Sequence, residues 1–146
     1  MPRIVVSTLI DAPPRRVWRV LRTMERHDRW MVDAEAVRPR TRRRRGVGAA
    51  FDVVTKVGPI RLTDVMVVDR WQRRKAIGIR HEGLVGGSGL FTIRRARRGG
   101  THFRWEERLR FPWYLGGPVG VAVARPVLRS VWRLDVRNLK RTIERR

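Results

Sequence analysis

Apolar and polar residues alternate over residues 3–10, with Ile4, Val6, Thr8 and Ile10 facing one way and Val5, Ser7 and Leu9 the other. That is the period of a β-strand. Asp11-Ala12-Pro13-Pro14 ends it. Proline has no backbone N–H to give a strand ladder, and its fixed φ suits the first turn of a helix. The period then lengthens, placing Val17, Trp18, Leu21 and Met24 on one side and Arg15, Arg16, Arg19 and Arg22 elsewhere, an amphipathic helix with a basic outer face. A short helical turn at 25–29 leads into Trp30.

From there the pattern predicts six strands, at 32–38, 49–57, 60–69, 75–82, 83–96 and 101–111. Gly46-Val47-Gly48 follows a charged connection at 40–45, and Gly58-Pro59, residues 70–74 and residues 97–100 supply further turns. Strands so closely linked form an antiparallel meander, which must cover its apolar face. The cover is a helix at 119–145, with a bend expected at Pro126. Ala124, Val127, Leu128, Val131, Trp132, Leu134, Leu139 and Ile143 fall in one broad sector of it, together with three polar residues, Asp135, Asn138 and Thr142. The fold class is therefore α+β, a helix-grip arrangement: a curved seven-stranded antiparallel sheet (β-α-α-β6-α) around a long C-terminal helix, in one domain over 1–146.

Composition narrows the setting. The 146 residues are 42% hydrophobic and include no cysteine, which excludes disulfides, a thiol nucleophile and cysteine-ligated metals. No signal-peptide pattern and no membrane-spanning apolar run is present, so a soluble, unprocessed, cytoplasmic protein is expected, as a monomer or homodimer. The formal charge of +22 changes the picture more. It suits a polyanionic partner such as nucleic acid, a ribosome or an anionic membrane. It also suits GC-rich coding, because only Lys56, Lys75 and Lys140 of the 35 basic residues are lysine. A nucleic-acid surface would need arginines to converge, with Arg42 to Arg45, Arg73, Arg74, Arg97 and Arg98 as the candidates.

Candidate chemistry sits on inward positions. Phe103, Trp105, Glu107, Leu109 and Phe111 alternate against His102, Arg104, Glu106, Arg108 and Arg110, so Glu107 is a carboxylate among aromatic neighbours. Such a group can act as a general acid or base, or bind a ligand hydroxyl. His81 shares a face with Ile77 and Ile79, which makes a Glu107–His81 acid–base pair a candidate catalytic dyad whose distance the sequence leaves open. Asp64 carries a similar ambiguity beside Leu62, Met66 and Val68. Aromatic side chains suit pockets for apolar or ring-containing ligands. The candidate ligand-binding set is Trp30, Phe51, His81, Trp105, Glu107, Trp113, Tyr114, Asp135 and Asn138, with Trp113-Tyr114-Leu115-Gly116-Gly117 placed at a cavity mouth. No phosphate-binding loop, nucleophile elbow or metal-ligand spacing is present, so neither cofactor nor metal is expected.

Ile10-Asp11-Ala12-Pro13-Pro14-Arg15-Arg16-Val17-Trp18, Trp30, Gly46-Val47-Gly48, Thr101-His102-Phe103-Arg104-Trp105-Glu106-Glu107, Phe111-Pro112-Trp113 and Gly116-Gly117-Pro118 follow one another in this order. Together they resemble the START-like (SRPBCC) superfamily, in its polyketide cyclase/dehydrase and lipid-transport branch. The resemblance spans nearly the whole chain. It implies a deep cavity between sheet and last helix that takes a small hydrophobic or amphipathic molecule of lipid, polyketide or aromatic type. Two further readings stay open: an aromatase/cyclase-like enzyme, and a basic RNA- or ribosome-binding, toxin-like protein.

Overall fold

Strand β1 (Arg3–Ile10) forms where the first alternation predicts it, burying Ile4, Val6 and Ile10 on one face. The computed structural model of the chain describes residues 3–145. After the two prolines, α1 (Pro14–Leu21) buries Val17, Trp18 and Leu21, and a 3-10 segment at Met24–Arg29 follows. The meander comprises β2 (Ala34–Pro39), β3 (Ala50–Val57), β4 (Ile60–Gln72), β5 (Ala76–Glu82), β6 (Gly86–Arg95) and β7 (Thr101–Arg110). All pairings are antiparallel, in the order β1-β7-β6-β5-β4-β3-β2. The seven strands, their curvature around a long helix and the α+β class agree with expectation.

Boundaries differ where side chains intervene. Strand β2 starts two residues late because the backbone N–H of Val32 donates to Asp135 Oδ1 instead of to a neighbouring strand. Strand β4 runs on to Gln72, past the expected turn, because a register shift between Val68 and Arg70 absorbs one residue and lets pairing with β5 resume.

Helix α2 (Gly117–Glu144) begins two residues early and continues through Pro126 as one helix. Its inward stripe is narrower than the sequence suggests. Val121, Trp132, Asp135, Val136, Leu139 and Ile143 are buried, and Val127 is exposed but lines the hollow beneath the helix, whereas Leu134 and Thr142, also placed inward by the helical period, are exposed. The last turns are tied to the other end of the chain: Asp11 N–H donates to Glu144 Oε2 at 2.7 Å, and Lys140 Nζ donates to the Leu9 carbonyl at 2.6 Å. These bonds help to cover the edge strand β1. The core beneath is aromatic, with Trp105 stacked on Trp132 at 5.1 Å and Phe91 edge-on to Trp105 at 5.3 Å.

Candidate functional site

Residues 122–131 of α2 are all exposed or half-buried, and beneath them the curved sheet encloses a cavity of about 670 Å³. That is the usual size for a small-molecule site. Its wall is mainly apolar, with Phe51, Val53, Met66, Ile79, Trp105 and Leu128 contributing. Asp33, His27, Asp64, His81 and Glu107 also reach it.

The central polar feature is a contact across a strand. His81 Nε2 donates to Glu107 Oε2 at 2.7 Å, and Trp105 Nε1 donates to the other carboxylate oxygen at 2.9 Å. His81 is on β5 and Glu107 on β7, so β6 lies between them. Neighbouring strands lie about 4.8 Å apart, which puts the two backbones roughly 10 Å from each other. The side chains meet because β6 presents glycine there: Gly89 pairs with both Ile79 and Glu107, and Gly87 with both His81 and Leu109. A Cβ at Gly89 would stand 2.5 Å from Glu107 Oε1. The glycine-rich segment thus opens the floor of the cavity so that imidazole and carboxylate can touch.

Burial would push the His81 imidazole down, but the charge and hydrogen bond of Glu107, aided by Asp64, outweigh it and hold His81 above its ordinary value. Asp64 is buried under the β5–β6 turn, where a Cβ at Gly83 would collide with its Oδ1. Burial raises its carboxyl, against the opposing pull of His81 and the backbone N–H of Leu84. Asp64 Oδ1 has no hydrogen-bond partner among the described residues. The floor therefore offers a hydrogen-bonded imidazole–carboxyl pair with the Asp64 carboxyl beside it, one oxygen of which is buried without a partner.

Of the residues singled out in the sequence, Phe51, His81, Trp105 and Glu107 line the cavity. The other five are elsewhere. Trp30 lies behind the wall, 1% exposed and edge-on to Trp105 at 6.2 Å. Asp135 and Asn138 tie α2 to the segment before β2: Asp135 accepts from Val32, and Asn138 Nδ2 donates to the Trp30 carbonyl at 3.3 Å. Trp113 and Tyr114 face outward, because the 3-10 turn at Trp113–Leu115 rotates them away and leaves Leu115 on the lining.

Two lining groups had no signal in the sequence. His27 is fully buried, bonded to the Leu21 carbonyl at 2.7 Å, and burial lowers its imidazole to about 4, so it is neutral. Asp33 accepts from Trp132 Nε1 at 3.1 Å and faces Asp135. Burial and Asp33 push the Asp135 carboxyl far above the ordinary range. Asp33 Oδ1 and Asp135 Oδ2 are both buried without a donor, which one proton shared between the carboxyls would satisfy.

The connections that carry Arg42 to Arg45, Arg73, Arg74, Arg97 and Arg98 all lie at one end of the sheet. Arg45 is bound by Glu25 through two contacts of 3.0 Å. A second hollow, of about 690 Å³, is ringed by Arg15, Arg74, Lys75, Arg94, Arg95 and Arg104 beside the β4–β5 turn and the far end of β6. Among the described residues no helix is long and apolar enough to cross a membrane, and no group of three or more His, Asp or Glu is placed to hold a metal ion.

Known proteins resemble this chain over its length. A family model described as polyketide cyclase/dehydrase and lipid transport matches residues 1–144. The solved structure of TTHA0849 from Thermus thermophilus is 16% identical, with a TM-score of 0.75 over 99% of this chain and 95% of that one. XoxI from Bacillus cereus is 11% identical, with a TM-score of 0.76 over 98% and 96%. Ara h 8.0201 is 10% identical, with a TM-score of 0.71 over 97% of each. At such identity these structures speak to the fold alone. No curated protein matches the sequence.

Proposed function

The chain belongs to the polyketide cyclase/dehydrase and lipid transport family, and from that premise we propose that it binds one small amphipathic molecule in the cavity between sheet and α2. The observation that carries this reading is a cavity of about 670 Å³ with an apolar wall and a buried His81–Glu107 pair at its floor. The apolar body of the ligand rests against Phe51, Val53 and Trp105, and a hydroxyl, carbonyl or amine group meets His81, Glu107 and Asp64. The chain works as one binding unit, to whose core both β1 and α2 contribute, and it acts in the cytoplasm.

The test is native mass spectrometry of the purified protein, with a fluorescent apolar probe such as anilinonaphthalene sulfonate run in parallel. The expected result is a removable small-molecule adduct or saturable probe binding, with both lost in Ala124→Trp, whose indole fills the space below α2. No adduct and no probe binding, or binding that survives Ala124→Trp, overturns the reading.

A second reading rests on the 2.7 Å contact itself. An imidazole and a carboxylate in an apolar-walled cavity can transfer a proton to and from a bound ring or carbonyl compound, as a cyclase- or dehydratase-like reaction requires. Glu107→Gln would then abolish turnover of a bound polyketide-type substrate while leaving its binding within a few-fold.

A further inference from the structure

We propose that the open end of the cavity docks on the surface of an anionic lipid bilayer. The rim is the starting observation. Ile60 at the start of β4, Leu84 in the β5–β6 turn, Leu115 in the 3-10 turn before α2 and Val123 in the first half of α2 all line the cavity and are all exposed. The antiparallel topology brings these turns to one end of the sheet. Beyond the rim the apolar surface continues onto Trp113, 86% exposed, Tyr114, 58% exposed, and Val119, 71% exposed. Folded monomers in water seldom show so many large apolar side chains together, and such a patch marks a docking face. Tryptophan and tyrosine, apolar in body and polar at one atom, are the side chains that settle at the boundary between lipid and water.

Charge decides what occupies the patch. A second copy of the chain would bring another +22 against the first, and repulsion of that size opposes a homodimer. An anionic surface is attracted instead. Lys56 beside Ile60, Arg110 at the end of β7 and Arg125 on α2 are exposed and make no ion pair or side-chain hydrogen bond among the described residues, so they are free to meet lipid phosphates around an apolar centre. The basic hollow near Arg74 and Arg94 lies at the opposite end of the sheet and would face away from the bilayer. In meaning, though not in measurement, docking rests on the cavity reading: it gives an apolar ligand a route from bilayer to cavity without crossing water.

The experiment uses the full chain, without added ligand, and sedimentable vesicles of phosphatidylcholine alone or of equimolar phosphatidylcholine and phosphatidylglycerol. Trp113 is the only strongly exposed tryptophan of six, so its emission reports on this face. Expected are sedimentation with the anionic vesicles, a blue shift, and quenching by dibrominated acyl chains that disappears in Trp113→Phe while binding persists. A Trp113→Ser/Val119→Ser/Val123→Ser variant should bind these vesicles about tenfold more weakly or worse, with an unchanged melting temperature. Failure to bind anionic vesicles overturns the proposal, as does binding that the triple variant leaves intact and Arg74→Glu/Arg94→Glu abolishes. So does a solution dimer that the triple variant dissolves. Docking with an empty cavity and no probe binding would leave this proposal standing and remove the ligand reading.

Discussion

His81 on β5 donates a 2.7 Å hydrogen bond to Glu107 on β7, across a strand to which neither belongs. The pair gives the cavity floor a charge that depends on pH. His81 is held above its ordinary value, so the stability it contributes is fully present below about pH 6.5 and is lost as pH rises through the folded value.

Replacing Glu107 with Gln reverses this. Burial is then opposed only by the charge of Asp64, His81 falls below its ordinary value, and the variant loses more stability as the unfolded imidazole gains its proton. The destabilisation should be larger at about pH 5.5 than at about pH 8. Urea unfolding at the two values checks the sign, and the histidine Cε1–H titration by NMR checks that His81 has moved down while His27 has not.

Gly89→Ala tests the gap. The added Cβ would meet the Glu107 carboxylate at 2.5 Å, and that carboxylate is held in place by its hydrogen bonds to His81 and Trp105. The expected cost is about 1–3 kcal/mol, together with a lowered His81 titration point as the contact lengthens. Destabilisation without movement of His81 would contradict the account of the gap.

Asp135→Asn should stabilise the protein near neutral pH. Asp135 is raised in the folded state, so the stability linked to its proton is complete only below the ordinary carboxyl value and declines as pH rises toward the folded value, about 9. Asparagine keeps an acceptor for Val32 and donates to Asp33 without needing a proton. The melting temperature should rise by about 5 °C at about pH 8, with the gain shrinking toward about pH 4. A variant less stable than the parent at both values would rule out a shared proton.

Two apolar truncations separate core from rim. Phe51 is fully buried beside the cavity, and Phe51→Ala should cost about 3–5 kcal/mol. Val123→Ser, at a position 73% exposed, should stay within about 0.5 kcal/mol. Chemical denaturation of both checks that the rim is not there for folding.

The elements were legible in the sequence because period and turn chemistry agree along most of the chain, and the alternation through Glu107 placed it inward without any knowledge of its partner. What could not be read was the approach of His81 to Glu107. That depends on a missing side chain in the strand between them, and the glycines from Gly83 to Gly89 carry no such meaning until register is known. The helix misled differently. A period of 3.6 sorts residues into sides but does not say how much of a side meets protein, so Leu134 shares a sector with Trp132 yet remains exposed. Trp113 and Tyr114 came out on the far side of the mouth because a single 3-10 turn sets their direction. The carboxyl pair Asp33–Asp135 joins residues about a hundred positions apart, beyond the reach of any local pattern.

Helix α2 can be viewed as a beam resting on two piers. Gly117 and Val121 seat one end and Trp132 to Ile143 the other, while residues 122–131 span the void for about 15 Å at 1.5 Å per residue. Near mid-span stands Pro126, which has no N–H to return to Ala122. The beam is thus one backbone bond short in the stretch that rests on the core only through the half-buried Leu128 and Val131.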